Sequence, residues 1–275
     1  MEILIDSAGK VHIIGSPVQD EYEKEFIPFF RENDIIYDSL YSFSLGNYRK
    51  YGQDIPQELR NKANLLKEKF GSERTELLTK YIKLHPNSYI ALWDIYDYVS
   101  NPLSHKYFDF EKMFSSFSSE MQQQSFINVL KEKLQASRKM QVGQTLPKDF
   151  FKGYEQMQNK IRKNNQYYLL DFWFSHCAPC IAGFPKLKEI YNKFHNKGFD
   201  VVSISIDEEE YEKEYNVAIQ KNNLVWNHIW DKAGKTSKKF NINAYPTYIL
   251  LDKNDKIINN NINAEQLEGF LEKNL

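Results

Sequence analysis

The sequence predicts an α/β domain with a central sheet, preceded by a mainly α-helical domain. From about residue 17 to 139, apolar residues recur at helical spacing, whereas beyond residue 140 strand-like runs alternate with helical ones. Strands that alternate with helices are typical of an α/β sheet domain. A length of 275 residues also favours two domains over one.

Residues 1–16 predict a β-hairpin ahead of the helical domain. Its strands are expected at 3–5 and 11–14, joined by a turn at residues 7–10. Because an isolated hairpin is marginal in water, it must pack on another element or be the remnant of a larger, truncated sheet domain.

The helical domain, residues 17–139, is predicted from stripes of apolar residues at 22–30, 59–70, 78–82 and 90–96. Pro28 is expected to kink or shorten the first helix. Ser119 and Gln122 have capping-box spacing ahead of a last helix at 126–134. The domain shows no glycine-rich loop and no metal-ligand spacing, so a helical bundle or array is predicted.

Residues 140–275 form the third predicted segment, the α/β domain. Its strands are predicted at 167–174, 200–206, 225–230, 247–251 and 256–259, and its helices at 178–196, 208–222, 234–240 and 264–273. The segment 148–166 is polar and predicts a helix, so the sequence does not determine which strand forms the edge of the sheet.

Both cysteines of the chain belong to one C-x-x-C sequence, Cys177-Ala178-Pro179-Cys180. This sequence follows a predicted strand and opens a predicted helix, whose free N–H groups and positive dipole end favour a thiolate. It predicts a dithiol redox site in which Cys177 attacks and Cys180 resolves the mixed disulfide. The alternatives are a zinc half-site or an inert disulfide, but zinc requires further ligands and the chain has no other cysteine.

Several further motifs accompany this pair. They are Asp171-Phe172-Trp173, Phe184-Pro185, Gly198-Phe199, Val201-Val202-Ser203-Ile204-Ser205-Ile206-Asp207 and Tyr245-Pro246-Thr247. With these motifs, residues 140–275 resemble the thioredoxin superfamily, and within it the TlpA/ResA-type thiol-disulfide oxidoreductases. The helical region is similar to that of two-part members common in Bacteroidetes. The resemblance implies a central mixed sheet flanked by helices and a redox-active Cys177–Cys180 disulfide, with no bound cofactor or metal.

Asp171 lies six residues before Cys177, where thioredoxin has a buried acid. A carboxylate desolvated there should have a raised pKa and relay the proton of Cys180. The alternative is a solvated aspartate at the strand end. ResA-type members carry a glutamate three residues after the second cysteine, but Gly183 stands there, so Asp171 is the only carboxylate that matches the family.

The resemblance also implies the residues that contact substrate. Tyr245 and Pro246 match the cis-proline loop, which faces the C-x-x-C and pairs with an incoming chain like an added strand; the alternative is an ordinary trans turn proline. His176 and Pro179 complete the expected substrate-binding set. His176 replaces the usual tryptophan, and an imidazolium there would lower the pKa of Cys177; a surface histidine without a role is the alternative.

We therefore expect an enzyme, a thiol-disulfide oxidoreductase that acts as a reductant rather than an oxidant. Its partners would be protein thiols or disulfides and an upstream redox partner. The alternatives are an adaptor that uses the fold as a scaffold, a thiol peroxidase and a copper-handling protein. Residues 173–177 lack the threonine of the peroxidases, and copper-handling relatives have a longer cysteine spacing.

The net charge of -1 gives no reason to expect nucleic acid or an anionic membrane as a partner. The sequence has no apolar run long enough for a transmembrane helix, and its first residues lack the features of a signal peptide. We expect a periplasmic or membrane-anchored location in the cell envelope, with the export signal outside this sequence; a cytoplasmic location stays open. The helical domain is expected to govern substrate choice or to form a homodimer.

Overall fold

The computed structural model describes residues 2–5, 11–14, 16–51, 55–100 and 108–275, and of the first two ranges only the backbone. The chain divides into two compact units, Met1–Lys131 and Glu132–Leu275. The predicted boundaries after residues 16 and 139 stay predictions. None of the described helices combines the length and the apolar character needed to span a lipid bilayer.

The first unit begins with an antiparallel pair of strands and continues with helices. The strands are β1 (Glu2–Ile5) and β2 (Val11–Ile14). The turn predicted at residues 7–10 lies outside the described residues. The helices are α1 (Pro17–Glu21), α2 (Ile27–Tyr51), α3 (Gln57–Leu84), α4 (Tyr89–Ser100), α5 (Phe110–Ser115) and α6 (Ser119–Gln122). A further helix, α7 (Ser125–Arg138), begins in the first unit and continues past its end at Lys131.

Three details of the helical region differ from the sequence prediction. The stripes at 59–70 and 78–82 belong to one helix, α3, because the single Gly71 between them weakens a helix without ending it. Pro28 does not shorten its helix: a π-helical turn, Tyr22–Phe26, directly precedes α2 and accommodates the missing N–H. The predicted capping box at Ser119 is wrong, since Ser118 caps α6 and α7 starts only at Ser125.

The second unit is built on a five-stranded mixed sheet of order β5-β4-β3-β6-β7. The strands are β3 (Tyr167–Trp173), β4 (Phe199–Ser205), β5 (Asn227–Trp230), β6 (Thr247–Asp252) and β7 (Ile257–Asn259). The first three are parallel to one another, whereas β6 is antiparallel to both β3 and β7. The mixed sheet that the resemblance implies is confirmed.

Helices flank this sheet. They are α8 (Glu155–Asn164), α9 (Ala178–Phe194), α10 (Glu212–Asn222), α11 (Lys235–Lys239) and α12 (Ala264–Asn274). The segment 148–166 is helical only from residue 155, because Phe150 and Phe151 turn into the core ahead of α8. The segment contains no strand. Ahead of it, Thr145 makes an isolated antiparallel bridge with Lys256, close to β7.

Strand β3 is central and buried on both faces, which explains its nearly continuous apolar sequence. Leu169 and Trp173 pack into a core cluster with residues of α9 and α12, whereas Leu170 and Phe172 pack into a second cluster. Since side chains alternate along a strand, Asp171 points to the face that α9 covers. The fold therefore places one carboxylate beneath the helix that carries the cysteines.

Candidate functional site

The two cysteines lie where β3 passes into α9. Cys177 is the N-cap residue of α9, Cys180 lies in its first turn, and the two form a disulfide with their Cα atoms 5.2 Å apart. The Cys180 amide donates to Cys177 Sγ over 3.2 Å. A sulfur at this position faces the free N–H groups and the positive end of the helix dipole. The geometry thus favours the thiolate of Cys177 when the pair is reduced.

Accessibility differs sharply between the disulfide and its neighbours. Cys177 is 3% exposed and Cys180 is fully buried, whereas His176, Ala178 and Pro179 are exposed. In the sequence, His176 precedes Cys177, and Ala178 and Pro179 lie between the two cysteines. Two predicted substrate-binding residues, His176 and Pro179, therefore lie at the surface next to Cys177.

Asp171 is fully buried in the middle of β3. Its Oδ2 accepts a hydrogen bond from Ser203 Oγ at 2.6 Å, and its Oδ1 has no hydrogen-bond partner among the described residues. Burial raises the pKa of Asp171 to about 7, against the lowering effect of the Ser203 hydroxyl. The solvated alternative is excluded, and a carboxyl with this pKa can hold or release a proton near neutral pH.

The neighbours of Asp171 come from the adjacent strands. Ser203 of β4 and Tyr248 of β6 are its register partners, and Trp226 Nε1 donates to Ser203 Oγ at 2.7 Å. A Cβ added to Gly183 of α9 would lie 3.1 Å from the Tyr248 hydroxyl. The tyrosine therefore occupies the space beside Gly183, which leaves no room for a side chain there without movement.

The loop before β6 contacts the residue that follows β3. The Tyr245–Pro246 peptide bond is cis, and both residues are partly buried. The ring of Tyr245 meets that of Phe174 edge to face at a centroid distance of 5.8 Å, and its hydroxyl donates to the Ile242 carbonyl at 2.9 Å. Tyr245 is thus held against the segment that leads into Cys177, and Pro246 is the next residue of the same loop.

The buried carboxylate of Asp207 anchors the segment that leads into Cys177. Sequence reasoning did not assign this residue to the site. Asp207 accepts hydrogen bonds from the Ser175 amide at 3.1 and 3.0 Å, from Ser175 Oγ at 2.7 Å and from Ser205 Oγ at 2.5 Å. Ser175 Oγ also lies 3.0 Å from His176 Nδ1. The signal available in the sequence was Asp207 itself, a charged residue two positions after the end of β4.

The metal alternatives find no support in the described part of the chain. Within it, no group of three or more His, Cys, Asp or Glu side chains comes together to hold a metal ion. The His176 ring meets the Tyr211 ring at a centroid distance of 4.7 Å, and its Nδ1 lies 3.0 Å from Ser175 Oγ. The arrangement is that of a dithiol-disulfide pair at a helix N-terminus.

Comparison with known proteins agrees with this geometry. A thioredoxin-like family model matches residues 164–257. The thiol-disulfide oxidoreductase ResA of Bacillus cereus is 28% identical over 148 residues, which cover 49% of this chain and 79% of that protein. The sporulation thiol-disulfide oxidoreductase A of Bacillus subtilis is 26% identical over 117 residues, covering 41% of this chain and 71% of that protein.

Solved structures give similar matches. A thiol-disulfide oxidoreductase from Bacteroides fragilis is 35% identical and covers 42% of this chain and 85% of that one, with a TM-score of 0.38. The thioredoxin domain of a thiol-disulfide oxidoreductase from Bacteroides vulgatus is 29% identical and covers 42% and 81%, with a TM-score of 0.37. The range matched by the family model contains Asp171, the cysteine pair and the cis-proline loop.

Proposed function

The chain belongs to the thioredoxin-like thiol-disulfide oxidoreductases of the TlpA/ResA type through residues 164–257, and we propose that it reduces disulfides of protein substrates in the cell envelope. The observation that carries the proposal is the Cys177–Cys180 disulfide at the N-terminus of α9. When reduced, this pair can give two electrons to a substrate disulfide.

The reaction proceeds in two exchange steps. The Cys177 thiolate attacks one substrate sulfur, which forms a mixed disulfide and releases the other substrate sulfur as a thiolate. The Cys180 thiolate then attacks Cys177 Sγ, which closes the Cys177–Cys180 disulfide and releases the second substrate sulfur as a thiolate. Asp171, on the sheet face beneath α9, accepts the Cys180 proton. The cysteine pair carries the electrons without a bound cofactor, and an upstream dithiol partner reduces it again.

The direction of electron flow follows from how strongly the reduced form is stabilised. Among the described residues, the Cys180 amide is the hydrogen-bond donor to Cys177 Sγ, and the end of α9 adds its dipole. Strong oxidants such as DsbA owe their potential to a highly stabilised reduced form. In the resting reduced pair these two groups, neither of which has a full charge, stabilise a thiolate only modestly, which supports a reductant.

The reduction potential of the Cys177–Cys180 pair tests this direction. Equilibration in redox buffers should give a value near that of thioredoxin, about −270 mV, rather than that of DsbA, about −120 mV. Fluorescence of the buried Trp173, in the same core cluster as both cysteines, is a suitable signal. The Cys177→Ser variant is the control, because it should show no redox transition. A potential near the DsbA value would contradict the reductant assignment.

Substrate binding is assigned to the surface around Cys177. Tyr245 and Pro246 present the backbone of the cis-proline loop, where an incoming extended chain would pair like an added strand. The exposed His176 directly precedes the attacking Cys177, and the exposed Pro179 follows it two residues later. Their exposure beside the cysteine, and the contact of Tyr245 with Phe174, support this assignment.

The first unit is proposed to select substrates or to join two copies of the chain. Support comes from α4, where Trp93 is 58% exposed and its ring lies tilted against that of Phe126 at a centroid distance of 5.0 Å. Sedimentation of the full chain should show a dimer that Trp93→Ser dissociates; a monomer at every concentration would contradict dimerisation.

The cell-envelope location rests on the resemblance to the TlpA/ResA type, and cell fractionation with an antibody would test it.

A further inference from the structure

A chain of hydrogen bonds leads from the interior to the residue before the attacking cysteine. Ser175 Oγ lies 2.7 Å from Asp207 Oδ1 and 3.0 Å from His176 Nδ1. Asp207 is 4% exposed and Ser175 is 9% exposed, whereas the imidazole lies at the surface. The three side chains connect the end of β4 with the N-terminus of α9.

The direction of these hydrogen bonds fixes the position of a proton. The Asp207 carboxylate receives only donors: the Ser175 amide and the hydroxyls of Ser175 and Ser205. A hydroxyl has one proton, and the Ser175 proton points to Asp207. Ser175 Oγ can therefore only accept from His176, so that Nδ1 of the ring must carry a proton.

We propose that Ser175 and Asp207 are positioning residues that hold His176 in its Nδ1–H form, so that Nε2 exchanges the proton with the sulfurs that react at Cys177. The inference deepens the reductase function proposed above and rests on it. Nε2 has no hydrogen-bond partner among the described residues. The ring meets Tyr211, whose hydroxyl interacts with Glu210, and is linked to Asp207 through Ser175. Cys177 is the next residue along the chain.

The proton balance of the first exchange step follows. On forming the thiolate, Cys177 gives its proton to Nε2, and the ring becomes doubly protonated. The thiolate attacks the substrate disulfide; its sulfur is oxidised to the mixed disulfide, and the released substrate sulfur is reduced to a thiolate. That thiolate takes the proton from Nε2, and the ring returns to the Nδ1–H form. The ring holds the second proton only between these two transfers, and Ser175 and Asp207 keep it oriented throughout.

The tautomer can be observed without turnover. In the full chain labelled with ¹⁵N-histidine, long-range proton–nitrogen spectra at mildly alkaline pH should show His176 as Nδ1–H. The His176→Gln variant identifies the signal among the six histidines. Ser175→Ala should shift the ring to the Nε2–H form, whereas Ser175→Thr should retain Nδ1–H. An Nε2–H ring in the wild type, or no change in Ser175→Ala, would overturn the inference.

Asp231→Asn is the matched control for Asp207→Asn. Asp231 is also a buried aspartate that follows a strand, but it accepts from the backbone amides of Thr236 and Ser237 and does not contact His176. Both variants should lose some stability, yet only Asp207→Asn should alter the tautomer. If Asp207→Asn does not fold, the Ser175 variants decide the question alone.

A double-mutant cycle measures the consequence for the reaction. At pH 7, Ser175→Ala and His176→Gln should each slow disulfide reduction by about tenfold, and the double variant should be no slower than His176→Gln. Independent losses, which would multiply to about a hundredfold, would contradict the proposal. Failure of the reductase function would appear as an inactive wild type. The tautomer is measured without turnover, so its result does not depend on that activity.

Discussion

Replacement of Cys177 with serine is expected to lower the rate of protein-disulfide reduction by at least about a thousandfold, because a serine hydroxyl stays protonated and supplies no thiolate. Cys177 is the helix N-cap and the first member of the pair. Reduction of insulin with a small dithiol as electron donor measures the rate, after subtraction of the uncatalysed reaction.

Cys180→Ser is the matched control, since it removes the other sulfur of the same disulfide. This variant should still attack a substrate but should stop after one turnover, because no thiol remains to resolve the mixed disulfide. Full activity of Cys177→Ser, or equal inactivity of the wild type, would rule out the enzymatic function and favour the adaptor.

Asp171→Asn is expected to stabilise the protein at alkaline pH. The carboxyl has an unfolded pKa of about 3.9, and burial raises its folded pKa to about 7. The folded state therefore holds the proton more tightly, so this stabilising contribution is complete below pH 4 and is lost as pH rises to 7. About three pKa units correspond to about 4 kcal/mol. Asparagine does not ionise, so the variant should keep this contribution.

Denaturation of both proteins as a function of pH checks this result. The free energies of unfolding should be similar near pH 4, where protonated Asp171 and asparagine are alike, and should diverge up to pH 8. Ser203 Oγ can still donate to the amide oxygen of the variant. A constant difference between the two proteins across this range would show that Asp171 does not titrate near neutral pH.

The same substitution should slow closure of the Cys177–Cys180 disulfide by about a hundredfold at pH 7, since the acceptor of the Cys180 proton is lost. In the wild type this step should accelerate through pH 7 as Asp171 ionises, and the variant should lack that inflection. Asp200→Asn is the control: it alters a buried aspartate near the other end of the sheet, where the register partner is Tyr168. Equal slowing in both variants would indicate a structural effect only.

Local patterns were sufficient to predict the sheet and the redox pair. The five strands of the second unit lie within two residues of their predicted positions at every end, because most of them are apolar runs bounded by polar or turn residues. The C-x-x-C sequence is equally local. Its placement at a strand–helix junction was predictable from the residues on either side.

The surroundings of Asp171 were not predictable in this way. Ser203, Trp226 and Tyr248 come from different parts of the chain, and only the register of three strands brings them together. Gly183 appeared in the sequence only as a departure from the family pattern. The structure gives a steric reason, since the Tyr248 hydroxyl lies beside it.

In the helical unit, the sequence predicted apolar helix faces but not where each helix begins and ends. Periodicity located apolar faces correctly but could not decide whether neighbouring stripes belong to one helix, as in α3. Tertiary contacts contribute to this outcome: the buried Arg74 of α3 donates to Asp94 of α4 and to Asp34 of α2. Such pairs link residues that are distant in sequence, so no local pattern reveals them.

Identification of the sulfur that becomes linked to substrate tests the central claim most directly. Reduced Cys180→Ser should be mixed with a disulfide-containing protein, quenched with acid and mapped by mass spectrometry. The account predicts a mixed disulfide at Cys177, and no comparable linkage to Cys180 in the Cys177→Ser variant. A linkage to Cys180 formed as fast, or no linkage in either variant, would contradict the assignment of Cys177 as the attacking residue.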